Sequence, residues 1–249
     1  MTRFDSTFSP VWRTAPAAPV GVRTAPATRV RIEVPADLAP DVADALSYAV
    51  ADAGHTVEIV AHVPQRASRP AIDDAATVLV AHHLLDPRRT VPYMSHDIPH
   101  LPVVFGPERT EVGPIIVPGR TPCVSCDVAR RRAADPAWPH LAAQLLALAP
   151  PRITASRASE AGVVAAVLLA EAAQVARADV RDWSADAVSG RPTALSSRSV
   201  TLRTGSLRRS WRTLRPHEDC RCRSLEESGS ASAHALPAPT TASATAQPA

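Results

Sequence analysis

The sequence predicts an α/β fold with parallel strand pairing, and three observations carry that expectation. Apolar runs of strand length alternate with a helical pattern at short spacing across residues 29–105, the habit of parallel sheets with crossover connections. The run Ala76–His82 is apolar almost without a break, as a strand covered on both faces is. Aromatics make up 4% of the chain, so the core must be filled by small aliphatic side chains.

Residues 1–28 are rich in Pro, Ala and Thr, with Phe4, Phe8 and Trp12 standing out, and read as a disordered N-terminal arm. Order is expected to begin at Arg29, because Arg29–Val34 alternates polar and apolar side chains as a strand does. Pro40 opens a helical pattern through Val42, Ala45, Leu46, Ala49 and Val50, and Gly54 stands where a helix-ending glycine does. Thr56–His62, Ala76–His82 and Leu101–Phe105 supply three further strands. Glu111–Gly119, punctuated by Gly-Pro and Pro-Gly, reads as a strand between tight turns. Asp135-Pro136 is a good helix start, and the helix it opens carries Trp138, Leu141, Leu145 and Leu146 on one side. A longer helix from about Ser156 to Ala178 is apolar nearly all round between Gly162 and Leu169, which predicts burial on every side. Ser196–Thr204 and Leu207–Leu214 read as two strands joined at Gly205. From Ser224 onward Ser, Ala, Thr and Pro dominate. The expected organisation is therefore an arm over 1–28, one domain over 29–223 and a disordered tail over 224–249.

Composition removes several functions. The chain contains no lysine, which excludes a Walker-A loop, a Schiff base and a lysine general base. All its basic charge is arginine, and the formal net charge of +3 is too small to argue for nucleic acid. The start has no apolar signal region and the run Ala161–Ala170 is too short to cross a bilayer, so the expected location is the cytoplasm, with no membrane contact. The connection Pro35–Pro40 between the first strand and helix has no glycine, two prolines and the carboxylate of Asp37. It cannot aim a ring of backbone N–H groups at phosphates, so no ATP or NAD is expected there. The stretch holding His82, His83, Asp86, His96, Asp97 and His100 lacks metalloprotease spacing and reads as ordinary loop and strand-end residues. No G-x-S-x-G motif occurs, the pairs Asp73-Asp74 and Glu226-Glu227 read as solvated surface, and no residue is assigned a catalytic role.

All four cysteines fall in two knuckles, Cys123-x-x-Cys126 and Cys220-x-Cys222. Together they offer four thiolates to one soft ion, the composition of a closed tetrahedral zinc site with no open position for chemistry. Three other readings compete. A redox C-x-x-C leaves Cys220 and Cys222 unexplained, the thiols are incidental buried groups, or His217 replaces one cysteine as a ligand.

The run Val112-Gly113-Pro114-Ile115-Ile116-Val117-Pro118-Gly119-Arg120-Thr121-Pro122-Cys123-x-x-Cys126, then Asp135-Pro136-Ala137-Trp138-Pro139 and the closing Pro216-His217-Glu218-Asp219-Cys220-Arg221-Cys222, resemble a family. They are similar to the ThiF-like cyclodehydratase or leader-peptide-binding components of thiazole/oxazole-modified bacteriocin biosynthesis, especially those of actinobacteria. The resemblance implies a mostly parallel Rossmann-like sheet, helices on both faces, and a zinc-clamped C-terminal β segment, as in ubiquitin-activating enzymes. It implies Cys123, Cys126, Cys220 and Cys222 as structural zinc ligands. It implies a YcaO-type protein and a precursor peptide as partners, with a homodimer among the arrangements such folds adopt. Adenylating members of the wider superfamily use a glycine-rich turn and a catalytic lysine, both absent here, so the expected role is a non-adenylating scaffold. The alternative is a degenerate interaction module of the same fold with no bacteriocin role. Residues 1–28 are not expected to form the winged-helix-like element of roughly eighty residues that usually grips the leader peptide in such proteins.

Overall fold

The computed structural model describes residues 29–62, 75–177, 197–220 and 222, so the expected arm and tail lie outside the described residues. Seven strands form one sheet in the order β2-β1-β3-β4-β5-β6-β7. They are β1 (Arg29–Pro35), β2 (Thr56–His62), β3 (Ala76–His82), β4 (His100–Phe105), β5 (Arg109–Val112), β6 (Arg198–Arg203) and β7 (Arg209–Thr213). The helices are α1 (Pro40–Asp52), α2 (Val91–Ser95), α3 (Val124–Ala134), α4 (Trp138–Ala147) and α5 (Ala155–Arg177).

The sheet is mixed rather than mostly parallel. β1 pairs in parallel with β2 and β3, and β3 with β4. The three remaining pairings are antiparallel. Connection length decides two of the three: β4 and β5 are joined by residues 106–108 alone, and β6 and β7 by 204–208, whereas a parallel neighbour needs a crossover of a dozen residues or more.

α1 and α5 cover one face, and their aliphatic side chains pack with Val30, Ile32, Val78, Val80, Leu101, Val103 and Val112 in the main core. Alternate residues of β3, Leu79 and Ala81, point the other way onto Leu85, Tyr93 and Ile98, as the two-residue period of a strand requires. α1 begins with Pro at its first turn and ends at Gly54, whose φ of 94° places it in the left-handed region where glycine alone is unstrained.

Four elements differ from expectation. The stretch 111–119 is not one strand: β5 stops at Val112, a cis Gly113–Pro114 bond follows, and Ile116 pairs back onto His100. Residues 124–134 form α3, where no helix was expected. α4 starts at Trp138, since the Asp135 carboxylate accepts from Ala137 N in a turn that precedes the helix. None of its residues is buried, so its leucine side faces a cleft and solvent instead of a core. α5 is not enclosed on every side, because Val163 is 57% and Val167 53% exposed. Apolar residues all round a helix report tolerance of burial, and here only the side against α1 and the sheet is covered.

Candidate metal centre

The first cysteine knuckle is placed by a chain that folds back on itself. His100 N donates to Ile116 O at 2.9 Å and Ile116 N to His100 O at 2.8 Å, which fixes Ile116 beside β4. The buried Thr121 hydroxyl accepts from Val117 N at 2.8 Å and donates to Ile115 O at 3.1 Å, closing the turn before Cys123. Cys123 is the residue preceding the first turn of α3, and Cys126 N donates to Cys123 O at 3.1 Å.

The second knuckle arrives from β7. Arg212 binds the Asp127 carboxylate on α3 and donates to Glu111 Oε1 at 2.8 Å. Arg130 Nη2 donates to Arg215 O at 2.6 Å. Leu214 is buried and its N–H donates to Ser197 O at 2.7 Å. These ties bring residues 212–215 against α3 and deliver Cys220 and Cys222 to the first pair.

The four sulfurs all lie within 4.8 Å of one another. Cys123 Sγ is 3.9 Å from Cys126 Sγ and 3.5 Å from Cys220 Sγ, and Cys126 Sγ is 3.5 Å from Cys222 Sγ. A disulfide needs about 2.05 Å, so none of these pairs is one. Four sulfurs about 2.3 Å from a central zinc in a tetrahedron sit about 3.8 Å apart, which matches the distances seen. Ile116 and Met94 pack around the cluster and give it an apolar wall. Hydrogen bonds from Cys123 and Cys222 hold Cys126 far below the usual thiol range. Its neighbours respond in the opposite sense: the bond to Cys126 pushes Cys123 up to about 12, and bonds to Cys123 and Cys126 push Cys222 up. Four thiolates cannot crowd together without a cation to share them, so the arrangement suits a thiophilic ion.

His217 stands outside the four-sulfur cluster, and its Nδ1 is the acceptor for Asp219 N at 3.3 Å. The histidine-rich stretch does not converge. His82 Nε2 lies 3.2 Å from Asp37 Oδ1, His83 donates to Ala149 O at 2.8 Å and His96 to Pro92 O at 2.7 Å. Among the described residues, the four cysteines are the one grouping of metal-ligand side chains.

Beside the cluster lies a cleft of about 190 Å³ between α3, α4 and the antiparallel half of the sheet, with Cys123, Val124, Ile116, Pro114, Leu145 and Trp138 among its walls. A charged set borders it. Asp127 receives Arg131 Nε at 2.8 Å as well as Arg212, and the Arg131 guanidinium lies 4.8 Å from the centre of the Trp138 ring, a cation–π contact. Burial pushes the Asp127 carboxyl up, but Arg212 and Arg131 outweigh it and hold the group below the usual carboxylate range. Sequence reasoning missed this set. The signal was present in the i, i+4 spacing of Asp127 and Arg131 just after the knuckle, but it requires recognising α3 as a helix.

A second polar set lies at the C-terminal end of β1. Glu33 is 1% exposed. It accepts from Arg89 Nη2 at 2.8 Å and from the Tyr93 hydroxyl at 2.6 Å, with His62 Nδ1 2.8 Å away.

Sheet order and flanking helices define the class, an α/β fold that this chain shares with part of two solved heterocyclases. It is similar to a heterocyclase solved in complex with substrate and cofactor, at 21% identity and a TM-score of 0.53, over 79% of this chain and 25% of that one. It is similar to the heterocyclase TruD at 17% identity and a TM-score of 0.52, over 80% of this chain and 27% of the other. The E. coli microcin synthetase McbBCD complex matches at 14% identity and a TM-score of 0.50, over 81% and 70%. These matches agree with the ThiF-like resemblance of the motifs, and at such identities they concern the fold. The chain spans about a quarter of the length of the two heterocyclases. No family model and no curated protein matches the sequence. Among the described residues, no helix is long and apolar enough to cross a membrane.

Proposed function

We propose that the chain is a zinc-stabilised, non-adenylating scaffold of peptide heterocycle biosynthesis, presenting a precursor peptide to a YcaO-type partner. The observation that carries this reading is the heterocyclase fold over about four-fifths of the chain. Cys123, Cys126, Cys220 and Cys222 hold the zinc, whose role is structural because four protein ligands leave no open position. Supporting the absence of adenylation, the β1–α1 turn carries the Asp37 carboxylate, paired with His82, where a nucleotide site needs glycines and free N–H groups. The chain also has no lysine to bind phosphate.

Three measurements test the reading. Capture of a YcaO-type protein together with its precursor peptide is expected from the full chain, and failure of both to bind sinks the heterocycle role. ATP titrated calorimetrically is expected to give no heat of binding, and sub-millimolar affinity overturns the non-adenylating part. Protein purified without chelator is expected to hold one equivalent of zinc, and less than half an equivalent removes the four-thiolate site. One rival stands beside it, an interaction module of this fold with no heterocycle role, since likeness at 21% and 17% identity supports the fold alone. That rival is the reading left if zinc is present and no such partner binds.

A further inference from the structure

β7 closes the sheet order and pairs with β6 alone. All five of its residues are exposed. An edge strand of this kind presents a row of unpaired N–H and C=O groups, a template on which another extended segment forms an added strand.

Two of its side chains are fastened, while among the described residues no strand pairs with its outer backbone edge. Arg209 binds Glu160 on α5. Arg212, one face over, binds Asp127 on α3 and Glu111 on β5. These bonds on both faces hold β7 extended and in register, so an incoming strand meets a preformed edge and orders little of the receptor.

The charge along this edge is of one sign. From Arg198 to Arg215 there are six arginines and no aspartate or glutamate. Glu160, Asp127 and Glu111 offset Arg209 and Arg212, while Arg208 and Arg215 carry no ion pair among the described residues. Leu207 is 93% and Trp211 49% exposed, which adds apolar surface beside the positive charge. Edge arginines oppose pairing with a second copy, because like charges across a strand pair are destabilising. The same charges favour a strand of opposite sign.

We infer that β7 is a docking edge for an acidic, extended peptide segment, which adds to the sheet as an eighth strand. Main-chain hydrogen bonds to residues 209–213 supply the attachment. Carboxylates opposite Arg208 and Arg215 supply the selection, and Trp211 receives an apolar side chain of the same segment. The inference goes beyond the scaffold role: it rests on the sheet edge and its charge, and its readout is backbone exchange rather than partner capture, so either can fail without the other.

The test is amide hydrogen exchange of the full chain, read by mass spectrometry, with a short synthetic peptide alternating glutamate and valine. The expected result is slowing of at least about fivefold at residues 209–213, weakening as salt is raised. The same peptide N-methylated at every residue, which leaves no N–H on either edge, is expected to give no slowing. A lysine–valine peptide is expected to be inert on the natural chain and to gain binding on the double variant R208E/R215E, which alters side chains with no ion pair among the described residues. Four results overturn the proposal: no slowing at 209–213, equal slowing by the lysine–valine peptide, slowing by the N-methylated peptide, or protection without peptide that grows with protein concentration. The last would assign the edge to a second copy of the chain.

Discussion

Glu33 shows what a single buried carboxylate costs and what it organises. It sits on β1 between β2 and β3, receives Arg89 and Tyr93, and has almost no contact with water. Replacing it by alanine leaves the Arg89 guanidinium largely buried without its counter-charge, a situation that typically costs about 3–5 kcal/mol. Urea unfolding of Glu33→Ala is expected to show a loss of that order, and a loss under 1 kcal/mol would mean that Arg89 finds water or another partner. Burial and nearby Arg89 push His62 down despite the pull of Glu33, so the ring facing Glu33 at neutral pH is uncharged. His100 provides the pH dependence. It is fully buried, its Nδ1–H donates to Ile98 O at 3.0 Å, and its Nε2 has no partner among the described residues. Burial lowers it to about 4 from 6.5. The unfolded chain therefore binds a proton between these values that the folded chain refuses, and stability must fall as pH drops through that window. Between pH 7 and pH 5 the expected loss is about 2 kcal/mol from this group. Urea titrations of the natural chain and His100→Leu at both pH values should differ by that slope, and parallel slopes would remove His100 as the cause.

At the scale of elements, the crossing of α1 and α5 depends on one glycine. A Cβ at Gly162 would lie 2.7 Å from Ala49 Cβ and 2.7 Å from the Leu46 carbonyl oxygen. The second is backbone and cannot swing aside. Gly162→Val should therefore force the helices apart and destabilise by about 1–3 kcal/mol, seen as a lower urea midpoint with an unchanged slope. Equal midpoints would show that the crossing yields freely. Such close approach is also where sequence reading reaches its limit. The strands β1 to β4 and helix α1 were legible because alternation, an apolar run and a terminal glycine are local signals. That the four cysteines fall into two close pairs was legible for the same reason, and the structure adds that the pairs meet. α3 was not: its eleven residues carry three consecutive arginines and only Cys126 is buried, and it is held by Asp127–Arg212 and Arg130–Arg215, contacts about 85 residues apart in sequence. Nor was the role of Glu33. Strand alternation placed it on a polar face, but what covers that face is decided by Arg89 and Tyr93, which reach it from the loop and helix after β3. The antiparallel half of the sheet likewise follows from short connections whose significance appears only once β5 is known to end at Val112.

At the scale of the whole molecule, the two halves of the sheet are secured differently. The parallel half is sandwiched, with α1 and α5 on one side and Tyr93, Leu85 and Ile98 on the other. The far edge has β7 exposed along its whole length, and beyond β7 the cysteine cluster ties residues 220 and 222 back to 123 and 126. With the proposed zinc bound, that tie would close a loop of about 97 residues. Loop closure on that scale is worth about 4 kcal/mol of unfolded-chain entropy, before the metal–sulfur bonds are counted. The proposed zinc therefore acts on the edge of the sheet more than on its centre. Two interventions should give the same pattern: a chelator at neutral pH, or Cys222→Ser, which removes one ligand and leaves the α3–β7 ion pairs intact. Amide exchange is expected to rise first and most in residues 198–215, while β1, β3 and α1 keep their protection, and the melting temperature is expected to fall in both cases. Exchange that rises evenly over the whole sheet would show instead that the cluster supports the core directly. No change at all would mean that Arg212–Asp127 and Arg130–Arg215 hold the edge without it.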